Sequence, residues 1–358
     1  MTLESGSPVS APDSSWKETV ARHQTPRRRS SVWQLVNSIV PYLALWGLMV
    51  WTLDVSYWIT LPLAVVAAGF LVRIFIIFHD CGHGSFFRSR RANSFWGFVT
   101  GLLTFTPYQQ WRHSHAVHHA TSGDLDRRGT GDIWTLTVRE YLESSRARRL
   151  AYRLVRNPFV LFLFAPLYLF LIQNRLPARG AGKRERRSVH RMNAALLGFV
   201  AVMALTIGVK PYLLIQLPVS MCATAAGVWL FYVQHQFEGV YWERRDEWDF
   251  VGAALDGSSY YRLPRILQWF SGNIGFHHIH HLSPGIPNYN LEKCHREQPV
   301  FQRVKPVTLW TSLRSLSFRL WDEQRGRLVG FGRLRCGVET LPVLEAASPP
   351  GARSRKAR

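Results

Sequence analysis

Long uncharged apolar runs alternate with short arginine-rich stretches along this chain. Residues 32–53 form a 22-residue run without a charge. A helix of that length extends roughly 33 Å, enough to cross the hydrocarbon of a bilayer. After a turn at 54–56, residues 57–78 form a second apolar run, interrupted only by Arg73. Arg73 is expected either to snorkel to the nearby interface or to pair with a buried acid. Residues 192–209 and 211–233 form a second pair of apolar runs, turning at Lys210 and Pro211. Arg27, Arg28 and Arg29 precede the first pair, and Arg88, Arg90 and Arg91 follow it. The link 175–191 carries seven Lys or Arg residues. The positive-inside rule puts all three basic stretches on the cytosolic side.

Two shorter apolar segments complicate the count. Residues 92–111 lie alone between two histidine clusters, at 79–83 and 113–119. If both clusters serve one site, a single crossing between them is impossible, so this segment is expected to be re-entrant or interfacial. Residues 157–174 are expected to lie in the interface, bent by Pro158 and Pro166. Further on, Leu309, Leu313, Leu316 and Leu320 read as one helical stripe. The expectation is an all-α integral membrane protein. Four transmembrane helices form two hairpins, with interfacial helices and a histidine-rich cytosolic cap. Residues 1–31 read as a disordered tail, 32–325 as the membrane domain, and 326–358 as a largely disordered tail.

Composition narrows the partners. Forty-four Lys and Arg face 23 Asp and Glu, for a formal charge of +21. Because the basic runs flank apolar spans, they read as membrane-orienting and lipid-facing rather than as a nucleic-acid surface. Cys81, Cys222, Cys294 and Cys336 form no C-x-x-C pair, so a reducing cytosolic environment is expected. No cleavable signal peptide is read in the polar first 30 residues.

The candidate chemistry lies in the histidines. His79 and His83 stand at i, i+4 in HDCGH. His115, His118 and His119 form H-x-x-H-H, and His277, His280 and His281 repeat it. Residues three and four apart share a helix face, so each box can aim its imidazoles at one point. A structural zinc takes four ligands and mostly uses cysteine. Eight histidines are too many for one ion and suit two. Histidine-rich redox metals beside a membrane point to iron and oxygen chemistry.

HDCGHGSF, WRHSHAVHH and GNIGFHHIHHLSPGIPNYNL resemble the three histidine boxes of the membrane fatty acid desaturases. RGTGDIWTLTVREY and VQHQFEGVYW are similar to the bacterial acyl-lipid group in particular. The resemblance covers roughly 33–325 and implies a non-haem di-iron centre. Its implied ligands are His79, His83, His115, His118, His119, His277, His280 and His281, with His235 matching a ninth at the inner end of the last span. It offers no ligand role for His113 or His278, and His23, His190 and His295 receive none. It implies O2 as co-substrate and an acyl-lipid or acyl-carrier substrate. No cytochrome b5-type haem motif and no G-x-G-x-x-G occurs, so a separate ferredoxin is implied as electron donor, its approach helped by the positive charge.

The same boxes support removal of two hydrogens or insertion of a hydroxyl. A hydroxylase or ketolase of lipids, carotenoids or alkanes is therefore the nearest alternative. A metal transporter would place its ligands near the bilayer midplane, whereas these boxes fall just outside the spans. Metal-bound histidines usually donate their second ring N–H to a carboxylate or carbonyl. Asp80, Asp124, Asp126, Asp132, Glu238, Asp256 and Asn273 lie near the motifs, and the resemblance implies Asp80 and Asn273 as the supports. Tyr108, Trp111, Trp134, Trp229 and Tyr232 are candidates to line an acyl channel.

Overall fold

The computed structural model describes residues 15–336, with the side chains of Ser15, Arg335 and Cys336 left aside. It is mostly helical. A short helix, α1 (Ser15–His23), precedes α2 (Arg28–Leu53) and α3 (Tyr57–His83), which pack along each other. Next come α4 (Arg90–Leu103) and α5 (Tyr108–Thr121). Strand β1 (Leu136–Thr137), α6 (Val138–Glu143) and α7 (Arg146–Val155) lead to a π-helical turn at Val160–Phe164 and to α8 (Ala165–Leu171). Then follow α9 (Lys183–Thr206) and α10 (Val209–His235). The remainder holds α11 (Phe250–Leu255), β2 (Tyr260–Arg262), α12 (Arg265–Phe270), α13 (His277–Leu282), α14 (Asn288–Glu297), β3 (Pro306–Thr308), β4 (Leu320–Asp322) and β5 (Arg327–Val329).

Among the described residues, α2, α3, α9 and α10 are long and apolar enough to cross a membrane. They match the four runs read from the sequence. Their shared core is small-residue packing on α3, where Ala64, Ala67 and Ile74 meet Met49 of α2 and Tyr212, Ile215 and Val219 of α10. The outward faces keep large apolar groups exposed, with Trp58 at 79% and Leu205 at 87%. Exposed apolar surface on this scale is what a lipid-facing helix presents. Residues 92–111 split into α4 and the start of α5, neither long enough to span. Segments Arg146–Val155 and Val160–Arg175 meet at a 65° bend, so a fifth, broken span or a re-entrant loop is the alternative to an interfacial segment. Pro158 lies in the break, and Pro166 in the first turn of α8 cannot donate to the preceding turn.

Four expectations need correction. First, residues 15–31 are not a disordered tail. Val20 of α1 packs into a core with Leu255, Phe276, Ile279 and Leu291, and His23 Nε2 meets Glu297 Oε2 at 2.9 Å. Burial across elements far apart in sequence is invisible to local polarity. Residues 1–14 and 337–358 lie outside the described residues. Second, the chain is not purely helical. β1 and β4 pair in parallel, β4 and β5 antiparallel, and β2 and β3 in parallel. Runs of two or three residues are too short to leave a periodic signal. β5 also falls in the C-terminal stretch expected to be disordered. Third, the leucine stripe is no continuous helix. Leu309 begins a four-residue helix, Leu313 a 3-10 turn, and Leu320 a strand. Fourth, among the described residues Arg73 pairs with no acid, and at 7% exposure it is buried rather than turned out to solvent. Its Nε donates to Ser38 Oγ at 3.1 Å, another nitrogen donates to the Trp269 carbonyl, and its guanidinium lies 4.0 Å from the centre of the Trp269 ring.

Candidate metal centre

The histidines converge because two long helices end where the boxes begin. α3 carries His79 and His83 on its last turns and stops at Gly84, whose φ of +75° closes the helix in the left-handed region. α10 carries His235 as its final residue. α5 supplies His115, His118 and His119, and α13 supplies His277, His280 and His281. Gly82 lets α5 approach, since a Cβ there would stand 2.7 Å from the Trp111 ring. That ring in turn stacks on His115 at 4.3 Å.

Nine imidazoles meet, in two adjoining groups. His79, His83, His115, His119 and His280 offer ligand nitrogens within 4.8 Å of one another, and His118, His235 and His281 form a second such set. His277 joins the second set, its Nε2 lying 3.0 Å from His235 Nε2. Other Nε2 pairs are equally close: His118 to His235 at 3.2 Å, His115 to His119 at 3.1 Å, and His119 to His280 at 3.1 Å. Two nitrogens sharing a metal at about 2.0–2.1 Å, with angles between square and tetrahedral, stand about 2.8–3.4 Å apart. The groups touch where the rings of His119 and His281 stack at 4.1 Å. His83 Nε2 and His281 Nε2 are buried and make no hydrogen bond. A buried imidazole nitrogen left without a partner is costly unless a ligand takes its lone pair. The donor set therefore fits metal ions.

Electrostatics favour the neutral, ligating form. Burial, followed by neighbouring imidazoles, lowers the pKa of His115, His119, His277, His280 and His281 well below the usual histidine range. Two carboxylates reach ring nitrogens. Asp80 Oδ1 lies 3.1 Å from His79 Nδ1, and Asp132 Oδ1 lies 2.7 Å from His118 Nδ1. Each can accept the Nδ1 proton and leave Nε2 free to bind a metal.

The other expected groups divide. Among the described residues, the Asn273 side chain hydrogen-bonds to no histidine. It accepts from Gln268 and donates to the Asn288 carbonyl. Asp124, Asp126 and Glu238 pair with Arg127, Arg244 and Arg314. His113 is exposed, and the buried His278 turns to Tyr260, His295 and Phe301. Of the aromatic candidates, Trp111 touches the histidines. Trp134 packs on Tyr152, and Tyr232 bonds to the Ser315 carbonyl. Phe231 was not expected at the site. Its ring centre lies 5.2 Å from both His118 and His235. Its position four residues before His235, on one face of α10, is the signal that could have found it. Beside it lies a cavity of about 10 Å³, bordered by His118, Ser122, Asp132, Phe231 and His235.

Comparison with known proteins agrees with this geometry. The family model for fatty acid desaturases matches residues 56–311. A fatty acid desaturase of Bacillus subtilis (strain 168) is 51% identical over 323 residues, covering 90% of this chain and 92% of its own. An sn-1 oleoyl-lipid 12-desaturase of Synechocystis is 26% identical over 298 residues, 78% of each chain. An sn-1 acyl-lipid omega-3 desaturase (ferredoxin) of the same organism is 28% identical over 277 residues, covering 70% of this chain and 68% of its own. With its helical membrane spans and clustered histidines, the chain belongs to the fatty acid desaturase family, and it is an oxidoreductase of that kind.

Proposed function

We propose that this desaturase introduces a double bond into the acyl chain of a membrane lipid, at two iron ions held by the nine histidines on the cytosolic face. In balance, a CH2–CH2 unit, O2, two electrons and two protons give CH=CH and two waters. When bound, the iron pair supplies the O2 activation and oxidising power that no side chain here has for an unactivated methylene. His79, His83, His115, His119 and His280 would hold one iron, and His118, His235, His277 and His281 the other. Asp80 and Asp132 keep protons on Nδ1 of His79 and His118, fixing tautomer and ring orientation.

The carrying observation is the meeting of nine imidazoles from α3, α5, α10 and α13 in two adjoining groups. The cytosolic assignment rests on the arginines before α2 and after α3 and on the basic 175–191 link. By the same rule, α2–α3 and α9–α10 form two hairpins with an even number of crossings. The printed names of the Synechocystis relatives support a lipid-bound acyl substrate and a ferredoxin donor. The net charge of +21 would speed encounter with an acidic carrier.

Expression with a ferredoxin reducing system, followed by gas chromatography of lipid acyl chains, tests the reading. A new double bond is the expected result. Iron-loaded, reducible protein that yields no alkene, or yields an alcohol instead, would overturn it.

A further inference from the structure

The Asp80 carboxylate is fully buried, yet no Lys or Arg pairs with it among the described residues. Neutral donors hold it instead. Oδ1 faces His79 Nδ1 at 3.1 Å. Oδ2 accepts twice from Asn288, from its backbone N–H at 2.7 Å and from its side-chain amide at 2.8 Å. Asn288 opens α14 directly after Pro287, so its backbone N–H is one of the first-turn donors that a helix cannot satisfy internally. Gln34 of α2 closes the arrangement from the other side. Its Nε2 donates to Asn288 Oδ1 at 2.9 Å, and its Oε1 accepts from Asn288 Nδ2 at 3.2 Å. Gln34 and Asn288 are both buried.

We propose that Asn288 is a positioning residue for His79, acting through Asp80, with Gln34 holding the Asn288 amide in register. The inference rests on the reading that the histidines hold metal. A carboxylate oriented by two donors on one oxygen presents the other to the imidazole. The ring then keeps its proton on Nδ1 and its bare Nε2 toward the five-histidine group. The amide of Asn288 cannot rotate freely, because its oxygen and nitrogen are both used by Gln34. The chain Gln34–Asn288–Asp80–His79 thus ties α2 and α14 to the end of α3. The other group lacks this clamp, so a defect here should affect one metal position and spare the other.

Cobalt(II) titration of the full-length protein in lipid nanodiscs, by visible absorption and chelator competition, tests this without reference to product formation. Wild type is expected to bind two equivalents. Asn288→Ala should weaken one equivalent about 10- to 100-fold and leave the other unchanged. Asn288→Leu refills the lost volume without a donor and should be as weak as alanine. Gln34→Leu should weaken the same equivalent by a smaller factor. If Asn288→Leu restores wild-type affinity, Asn288 acts by packing and the proposal falls. If the Asn288 variants do not fold, unchanged binding in a folded Gln34→Leu protein overturns it equally. Wild-type protein that takes up no metal would remove the metal reading itself, and this proposal with it.

Discussion

The two ends of the histidine cluster are built to different standards. The five-histidine end stands on α3, a continuous 27-residue helix whose last turns carry His79 and His83. Its carboxylate, Asp80, is 2% exposed and held by two donors from Asn288. The other end is assembled from single positions on α5 and α10 and two on α13. Its carboxylate, Asp132, is 13% exposed, sits in the irregular segment between α5 and β1, and accepts one backbone N–H, from Gly129 at 3.3 Å. A cavity the size of one water molecule lies against His118 and His235 at that end. A side chain oriented from several directions loses less freedom on binding a ligand than one oriented from a single side. On the proposed metal reading, the difference predicts a more rigid holding position at the five-histidine end and one more open to exchange at the other.

The largest expected effect comes from emptying the rigid end. His115→Ala or His280→Ala should abolish turnover, because each removes a nitrogen from the five-histidine group and leaves its neighbours unpaired. Membrane insertion should survive, since the spans do not depend on these rings. Fractionation with acyl-chain analysis checks both parts. Substantial residual desaturation in either variant would break the comparison, because the rigid end would then be dispensable.

The rest of the molecule was unevenly legible in the sequence. The four long apolar helices were readable because each is a local composition signal. Eight of the nine imidazoles were readable because helical spacing places them on shared faces, and His235 entered through family resemblance. What stayed hidden depends on contacts between distant segments. α1 reads as polar, yet Val20 completes a core formed by α11, α13 and α14. Asn273 was expected as a ring support, but the structure has it accept from Gln268 and donate to the Asn288 carbonyl. Asp132 is level in the sequence with four other acids, Asp124, Asp126, Glu238 and Asp256, and its 2.7 Å contact with His118 separates it from them. Polarity alone does not single out Phe231, because apolar residues are expected everywhere on α10; only its spacing from His235 points to it.

A middle-sized effect would sharpen the comparison. Asp132→Asn keeps the shape of the side chain and an oxygen to accept the His118 proton, but removes the charge. Affinity for one metal equivalent should fall roughly 10- to 100-fold, about 1.4–2.8 kcal/mol. The equivalent affected should be the one untouched in the Asn288 variants. Combining Asp132→Asn with Asn288→Leu should give additive losses, as independent sites do. If both changes weaken the same equivalent, the cluster behaves as one site and the division into two ends is wrong.

The smallest effect on chemistry is expected at His278, the histidine that shares box three without joining either group. Helical geometry explains its exclusion. His277, His280 and His281 lie on one face of α13, while His278 is rotated about 100° from His277. Its ring packs between Tyr260 and His295, and burial lowers its pKa to about 3, so it sits there as a neutral filler. His278→Ala should therefore act through packing. Removing a buried ring costs about 2–4 kcal/mol of stability, while turnover per folded, metal-loaded enzyme stays within about threefold of wild type. Thermal unfolding separates the first quantity, and single-turnover desaturation normalised to bound iron separates the second. Should His278→Ala prove as inactive per bound iron as His280→Ala, box three contributes a different set of nitrogens, and the line between the two ends has to be redrawn through α13.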